Sequence, residues 1–307
     1  MSDLFPQRPR YAKERALFGY PVLAAFVLFF AFRLAAAYLP LDLGALGSAV
    51  LTEVVCLLAP ILLFLFLRGR GAPNTLRLHR LYAAHIPLLL AAFVALCSGT
   101  LLLSALFGGT DTLGNTVAAY ATALPATVPA RLLAVPVLAI LPAVLEELLF
   151  RGFLGAELTR RGVLRTAVVG SLLFSLIHFD LANLPAYLFA GVLLTLSLYA
   201  TDTLFAPLLL RVLFDLAALL CYRYANAVYR FTGSVELFWF FTVLVFLVSL
   251  LLFALEASRL YRARVNAVPA PRRDIPLRVQ FYTMLDASSE WPVLLSVVIA
   301  IVGIIVL

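Results

Sequence analysis

The feature that most constrains this chain is a series of long apolar runs, because a helix needs only about 20 mostly apolar residues to cross a bilayer. We count nine candidate spans, at about 20–39, 44–67, 85–107, 131–158, 164–180, 184–200, 203–222, 236–256 and 290–307. Of the 307 residues, 64% are hydrophobic and only 13% are charged, whereas soluble domains are near half apolar and a quarter charged. The sequence therefore predicts an all-α polytopic membrane helix bundle with about 8–9 transmembrane helices.

The chain has no internal repeat, Gly/Ser linker or low-complexity tract, so we interpret residues 1–307 as a single integral membrane domain. Basic residues are concentrated in the N-terminal tail, in the loops 68–80 and 257–289, and at the corner 160–165. Nine spans place these segments on one side, which the positive-inside rule assigns to the cytoplasm. We expect a multi-pass protein of the cell (inner, cytoplasmic) membrane with a cytoplasmic N-terminus. Its net charge of +7 suits the headgroups of the lipid bilayer, and we expect no nucleic-acid partner.

Ionisable side chains at membrane depth are costly and indicate either functional sites or structural ion pairs. Arg33 and Glu53 lie at similar depths on the first two candidate helices, and we interpret them as a structural ion pair. The remaining set is larger and lies further along the chain: Glu146, Glu147, Arg151, His178, Arg211 and Asp215.

The depths of this second set agree between three helices. If the fourth helix continues to about Leu158, Glu146 lies about 18 Å from its cytoplasmic end, at 1.5 Å per residue. By the same count His178 lies about 21 Å and Asp215 about 18 Å from that side. We therefore expect a carboxylate pair, an imidazole and an Arg/Asp pair to meet at one level of the bundle.

Spacing within each helix divides these residues further. Glu147 and Arg151 are four residues apart, so they share a helix face and are expected to form an ion pair. Glu146 is then free to face another element. Arg211 and Asp215 have the same spacing and are able to neutralise each other.

At these residues the sequence resembles the CAAX protease and bacteriocin-processing family, also called the Abi family of intramembrane endopeptidases. That family is marked by E-E-x-x-x-R on one helix and F-x-x-x-H on the next. Here the first motif is EELLFR (Glu146, Glu147, Arg151) and the second is FSLIH (Phe174, His178). Because Phe174 shares a face with His178, we expect its ring to wall one side of the histidine's pocket.

The resemblance covers roughly residues 131–222 and includes the stretch AYLFAGVLLTLSLYATDTLFAPLLL. The family's third motif, H-x-x-x-N/D, departs here: Arg211 stands where its histidine is expected, and Asp215 takes the last position. The other histidines, His79 and His85, lie in or beside a basic loop and do not replace it.

The resemblance implies hydrolysis of peptide bonds within or beside the membrane. Such chemistry needs a base that activates water and a donor or cation for the oxyanion. Since a carboxylate in an apolar pocket holds a proton more readily than one in water, Glu146 is the candidate base, with His178 positioning the water. The predicted catalytic residues are Glu146, His178, Arg211 and Asp215, and the predicted orienting residues are Glu147, Arg151 and Phe174. We expect a membrane-associated peptide or protein substrate that is cut near the cytoplasmic side.

Three alternatives stay open. Zinc usually needs three protein ligands, which Glu146, His178 and Asp215 formally supply, but the adjacent Arg211 disfavours a dication; we expect no metal and no other cofactor. Loss of the third-motif histidine is also consistent with a pseudoprotease or an immunity-type membrane protein. A transporter is more remote, because the chain lacks repeats and paired broken helices.

Overall fold

The computed structural model describes six stretches of the chain: 18–39, 44–68, 76–107, 132–159, 163–267 and 276–306. Side chains at 44–45, 68, 159, 220–230 and 264–267 are not described. The basic N-terminal tail, the 108–130 loop and much of the basic corner at 160–165 therefore lie outside the described residues, and the predicted orientation stays a prediction.

All regular secondary structure in the described residues is helical, and we number the helices in chain order. Where a helix contains a segment with π hydrogen bonding, the segments are joined under one label. The helices are α1 (Gly19–Tyr38), α2 (Gly44–Glu53, π Val54–Leu58, Ala59–Arg68), α3 (Ile86–Leu106, after a 3-10 turn Ala83–His85), α4 (π Val135–Ile140, Leu141–Glu147, π Leu148–Leu154, Gly155–Thr159), α5 (Val163–Arg165, π Thr166–Gly170, Ser171–Leu176), α6 (Leu184–Thr201), α7 (Phe205–Thr232), α8 (Val235–Ala267), α9 (Leu277–Ser288) and α10 (Trp291–Val306).

The π segments lie next to the intramembrane charges. Glu53 directly precedes the π segment of α2, and the short α-helical segment that carries Glu146 and Glu147 lies between the two π segments of α4. Pro60 and Pro142 follow closely on two of these segments. Because proline removes the i→i−4 hydrogen bond and crowds the preceding turn, it is a physical cause of this local widening.

Two buried apolar clusters divide the bundle. One joins α1, α2, α4, α5 and α10 around residues such as Phe26, Phe64 and Leu173. The other joins α3, α6, α7 and α8 around residues such as Leu88 and Leu210. Helix α4 of the first cluster also packs against α7 of the second. The candidate residues on α4 and α7 therefore face each other across the boundary between the clusters.

The prediction of an all-α polytopic membrane bundle is confirmed, and the chain is a multi-pass membrane protein. Six helices of the described chain are long and apolar enough to cross a bilayer, or seven if α9 and α10, which meet at a bend of 65°, form one span. The predicted number of 8–9 is therefore approximate. The apolar run at 164–180 is helical only as far as Leu176, and the expected loop 257–289 is wrong at both ends, which are helical in α8 and α9.

Candidate active site

Glu146 and Glu147 lie inside the bundle rather than at its edge. The helical path of α4 continues beyond them to Thr159, as predicted. Glu146 is 8% exposed and Glu147 is fully buried. Buried carboxylates need a partner that offsets the loss of hydration, and each of the two finds a different one.

Glu147 is bound by Arg151, one turn later on the same helix. Nη1 of Arg151 donates to Oε1 of Glu147 at 2.8 Å, and both side chains are buried. Nη2 of Arg151 reaches the carbonyl oxygen of Gly191 on α6 at 3.4 Å. A Cβ at Gly191 would lie 2.8 Å from Cβ of Ser171, so glycine permits this close approach of α6 to α5. The predicted contact between Glu147 and Arg151 is confirmed.

Phe174 lies close to two ionic groups. Its buried ring lies under the guanidinium of Arg151, whose central carbon is 4.0 Å from the ring centroid. The guanidinium carbon of Arg211 lies 6.0 Å from the same centroid, and the edge-on ring of His178 lies 5.2 Å away. A cation over an aromatic face is attracted by the ring quadrupole. The expectation that Phe174 walls the histidine's pocket is confirmed.

His178 lies just beyond the end of α5, held by contacts on two sides. Its Nδ1 is 2.9 Å from the carbonyl oxygen of Phe174, and its ring stacks on Tyr187 with centroids 4.0 Å apart. Since a carbonyl oxygen only accepts, Nδ1 must carry the hydrogen. In the neutral ring Nε2 is then an acceptor, and it lies 4.0 Å from Oε1 of Glu146.

Arg211, on α7, joins the other carboxylates. Its Nη2 lies 3.1 Å from Oε2 of Glu146 and its Nε lies 3.3 Å from Oδ2 of Asp215. Both contacts fall outside hydrogen-bond geometry, so they are charge contacts rather than directed hydrogen bonds. The structure therefore brings Glu146 of α4, His178 just after α5, and Arg211 and Asp215 of α7 together, as the depth comparison predicted.

Glu53 is the charged residue that sequence reasoning assigned wrongly. Among the described residues no ion pair joins Arg33 and Glu53; the Arg33 guanidinium instead lies 5.7 Å from the ring centroid of Phe179. The Glu53 carboxylate interacts electrostatically with Glu146 and with the Arg211 and Asp215 pair. Depth was the available signal: Glu53 lies 14 residues before the end of the span at 44–67, or about 21 Å, the level of the site.

The other histidines lie elsewhere, as expected. Nδ1 of His79 is 2.7 Å from the carbonyl oxygen of Asp202, and Arg77 pairs with the Asp202 carboxylate at 3.0 Å. His85 lies beside Tyr82, with ring centroids 5.6 Å apart. These contacts fasten the 76–82 loop to the turn between α6 and α7, and they supply no imidazole to the site.

A metal ion is bound where several ligand side chains lie close together. Within the described stretches, no three His, Cys, Asp or Glu side chains are grouped closely enough to hold one. Arg211 also places a permanent cation 3.1 Å from a Glu146 oxygen. The expectation of a mechanism without zinc stays a prediction.

Comparison with known proteins gives one match. Residues 128–217 match the family model for type II CAAX prenyl endopeptidases of the Rce1-like kind. The comparison with curated proteins found no match, and neither did the comparison with solved structures. The matched residues contain all seven predicted site residues and nearly coincide with the predicted motif core at 131–222. This part of the chain is thus similar to the type II CAAX prenyl endopeptidases of the Rce1-like kind, as its motifs indicated.

Proposed function

We propose that the chain is an intramembrane endopeptidase that hydrolyses a peptide bond of a membrane-associated peptide or protein with water activated by Glu146. The observation that carries the proposal is the 4.0 Å separation between Oε1 of Glu146 and Nε2 of His178. The match to a family of prenyl endopeptidases supports the same class of reaction.

The separation suits a single water molecule. Two acceptors 4.0 Å apart are too distant for a direct hydrogen bond, and a contact of this length is often bridged by water. A water oxygen could lie about 2.8 Å from each of the two atoms. The two hydrogen bonds would then meet at the water oxygen at an angle of about 90°, near the angle between its own two O–H bonds. Such a water donates one hydrogen to Glu146 and the other to His178, which directs an oxygen lone pair outward.

The reaction follows from this arrangement. Glu146 removes a proton as the water oxygen attacks the carbonyl carbon of the scissile peptide, and a tetrahedral intermediate forms. The C–N bond then breaks while Glu146 returns that proton to the leaving nitrogen, and the products are a carboxylic acid and an amine. His178 positions the water through Nε2, since the Phe174 carbonyl and the Tyr187 ring fix its orientation.

Arg211 is our candidate for stabilising the oxyanion. Its two ion pairs use Nη2, toward Glu146, and Nε, toward Asp215. Nη1 takes part in neither of these ion pairs and is the nitrogen that we assign to the developing negative oxygen. Asp215 anchors the guanidinium, while Glu147 and Arg151 hold α4 against α6.

We further propose that the reaction uses no metal or other cofactor. The charge of Arg211 lies against Glu146 and Asp215, two of the three residues that a zinc ion would need, and it opposes a dication there. The Arg-rich segments support a cytoplasmic N-terminus in the inner membrane and cleavage near the cytoplasmic side.

A catalytically silent protein is the second candidate, favoured by one observation. Arg211 stands at the position of the third-motif histidine and contacts the proposed base directly, at 3.1 Å. In that case the ion pair occupies Glu146, and the chain binds membrane peptides without cutting them, as a pseudoprotease or immunity-type protein.

One assay separates these functions. The purified protein in detergent is incubated with a panel of prenylated and unprenylated C-terminal peptides, and products are identified by mass spectrometry. We expect cleavage that Glu146→Gln and His178→Ala reduce by about 10²–10⁴-fold, the usual contribution of a general base. Glu256→Gln on α8, where Glu256 pairs with Arg259 at 2.7 Å, is the matched control and should cleave normally. Peptide binding without cleavage by the wild type, unaffected by Glu146→Gln, would favour the silent protein.

A further inference from the structure

Glu53 lies at the edge of the candidate site, on a helix outside the family match at 128–217. It ends the first α-helical segment of α2, directly before the π segment Val54–Leu58. Helix α2 packs against α4 on both sides of Glu146. One carboxylate oxygen of Glu53, Oε2, is buried and has no hydrogen-bond partner.

Glu146 and Asp215 each have a cationic partner, whereas no described residue supplies one to Glu53. Glu146 and Asp215 each contact a nitrogen of Arg211, at 3.1 and 3.3 Å. No such contact reaches Glu53 among the described residues, although Glu146, Asp215 and Arg211 lie near enough for their charges to act on it. Arg33, the nearest alternative by depth, lies over the ring of Phe179 instead.

The charge balance of the group is therefore unfavourable if every acid is ionised. In the described part of the chain, Arg211 is the only permanent cation in contact with any of these three carboxylates, and it contacts two of them, Glu146 and Asp215. Glu147 already has its own cation in Arg151. Excess negative charge away from water is expensive, and a buried group that lacks a partner takes up a proton instead.

We propose that Glu53 is a positioning residue of the site: it is held as a neutral carboxylic acid and thereby leaves Arg211 to Glu146 and Asp215. If Glu53 lost its proton, it would become a third anion competing for the same guanidinium. The contact between Arg211 and Glu146 would then weaken, and with it the arrangement proposed for catalysis. This consequence for catalysis rests on the proposed function, whereas the protonation of Glu53 does not.

The groups that interact electrostatically with Glu53 define what its ionisation would disturb. They are Glu146 from α4, Arg211 and Asp215 from α7, and the buried thiol of Cys56 on α2 itself. Of these four groups, the acids Glu146 and Asp215 both contact Arg211. Raising the pH should therefore weaken the Arg211 contacts through Glu53, and peptide cleavage should fall on the alkaline side.

Infrared spectroscopy of the purified protein tests the protonation directly, without any substrate. A protonated carboxylic acid has a carbonyl stretching band that is separate from the bands of a carboxylate. We expect the spectrum of wild type minus Glu53→Gln to show the loss of one protonated-acid band. The matched difference for Glu256→Gln, whose carboxylate pairs with Arg259, should show the loss of carboxylate bands instead. Loss of carboxylate bands in Glu53→Gln would overturn the proposal.

A second measurement covers the case in which Glu53→Gln does not fold. Apolar carbodiimides react with protonated carboxyl groups, so wild-type protein in lipid nanodiscs is treated with one and its adducts are mapped by mass spectrometry. We expect an adduct on Glu53 and none on Glu256. No adduct on Glu53, or an adduct confined to Glu146 or Asp215, would contradict the proposal.

Activity then tests the positioning role. Once a cleaved peptide is known, the alkaline limb of the wild-type pH profile should be shifted or lost in Glu53→Gln, because glutamine cannot ionise. An alkaline limb that is identical in both proteins would remove the positioning role. If no peptide is cleaved under any condition, the proposed function fails while the infrared result still decides the state of Glu53.

Discussion

Two acid–base pairs with the same i,i+4 spacing lie near the Phe174 ring, and they differ in what they can do. The pair of Glu147 and Arg151 is closed: its side chains are 1% and 2% exposed, and a directed hydrogen bond of 2.8 Å joins them. The pair of Arg211 and Asp215 is open. Arg211 is 11% exposed, its contacts are 3.1 and 3.3 Å long, and it is shared with Glu146.

Spacing in sequence therefore does not distinguish a structural ion pair from a reactive group. Both pairs satisfy the geometric rule for neighbours on a helix face. The first also binds a backbone carbonyl of α6 and is sealed by the face of Phe174, whereas the second meets a third carboxylate from another helix. An ion pair sealed from solvent stabilises the bundle, while a shared cation leaves a charge to respond to a substrate or a proton.

The largest effect should come from breaking the closed pair. Arg151→Met leaves Glu147 as a buried charge without its partner, and we expect a loss of about 3–5 kcal/mol in the free energy of unfolding. The measurement is thermal or denaturant unfolding in detergent. As a control, Arg151→Met combined with Glu147→Gln should recover much of that stability. If Arg151→Met alone is as stable as the wild type, the pair of Glu147 and Arg151 does not stabilise the bundle.

Breaking the open pair should cost less stability and more activity. Arg211→His removes the permanent cation from Glu146 and Asp215, and we expect a loss of about 1–3 kcal/mol, because the Glu146 side chain, 11% exposed, remains partly open to water. Unfolding and peptide cleavage are measured together, with Arg259→Gln on the exposed face of α8 as control. Activity that is preserved or raised by Arg211→His would mean that Arg211 only replaces the family's histidine.

Removing the Phe174 ring should have an intermediate effect on the free energy of unfolding, through its contact with Arg151. Phe174→Leu keeps an apolar side chain but removes the aromatic face from Arg151, 4.0 Å away. A desolvated cation–π contact contributes about 2 kcal/mol, so we expect a loss of that order in unfolding experiments. Phe189→Leu, at a ring that pairs with Phe246 and no cation among the described contacts, is the comparison variant and should cost less. Equal losses would indicate that packing alone explains Phe174.

The smallest effect is expected at a third acid–base pair, between Arg77 and Asp202 at the loop end of the bundle. Their side chains are 26% and 28% exposed, and pairs of this kind contribute about 0.2–1 kcal/mol. Arg77→Gln should therefore lower the unfolding free energy by no more than this, and less at high salt. Asp202→Asn is a suitable partner variant, because asparagine tolerates the left-handed backbone found there, φ 57°. A loss as large as that for Arg151→Met would contradict the ranking by burial.

Much of the fold follows from the apolar runs, since a bilayer leaves few alternatives to a helix that satisfies its own backbone. The runs do not show where a helix stops inside the bundle. The apolar run at 164–180 therefore looked like a full span, although α5 ends at Leu176, and the bend of 65° between α9 and α10 has no signal in composition.

For the site, the sequence by itself determined depth, because rise per residue in a helix is nearly constant. That was enough to bring Glu146, His178 and the Arg211 pair to one level. Only the tertiary structure decided direction: which face of each helix meets which neighbour depends on long-range packing such as the close approach at Gly191. Glu53 shows the difference, for its depth could be counted from the sequence, whereas its electrostatic coupling to Arg211 and Glu146 in place of an ion pair with Arg33 could not.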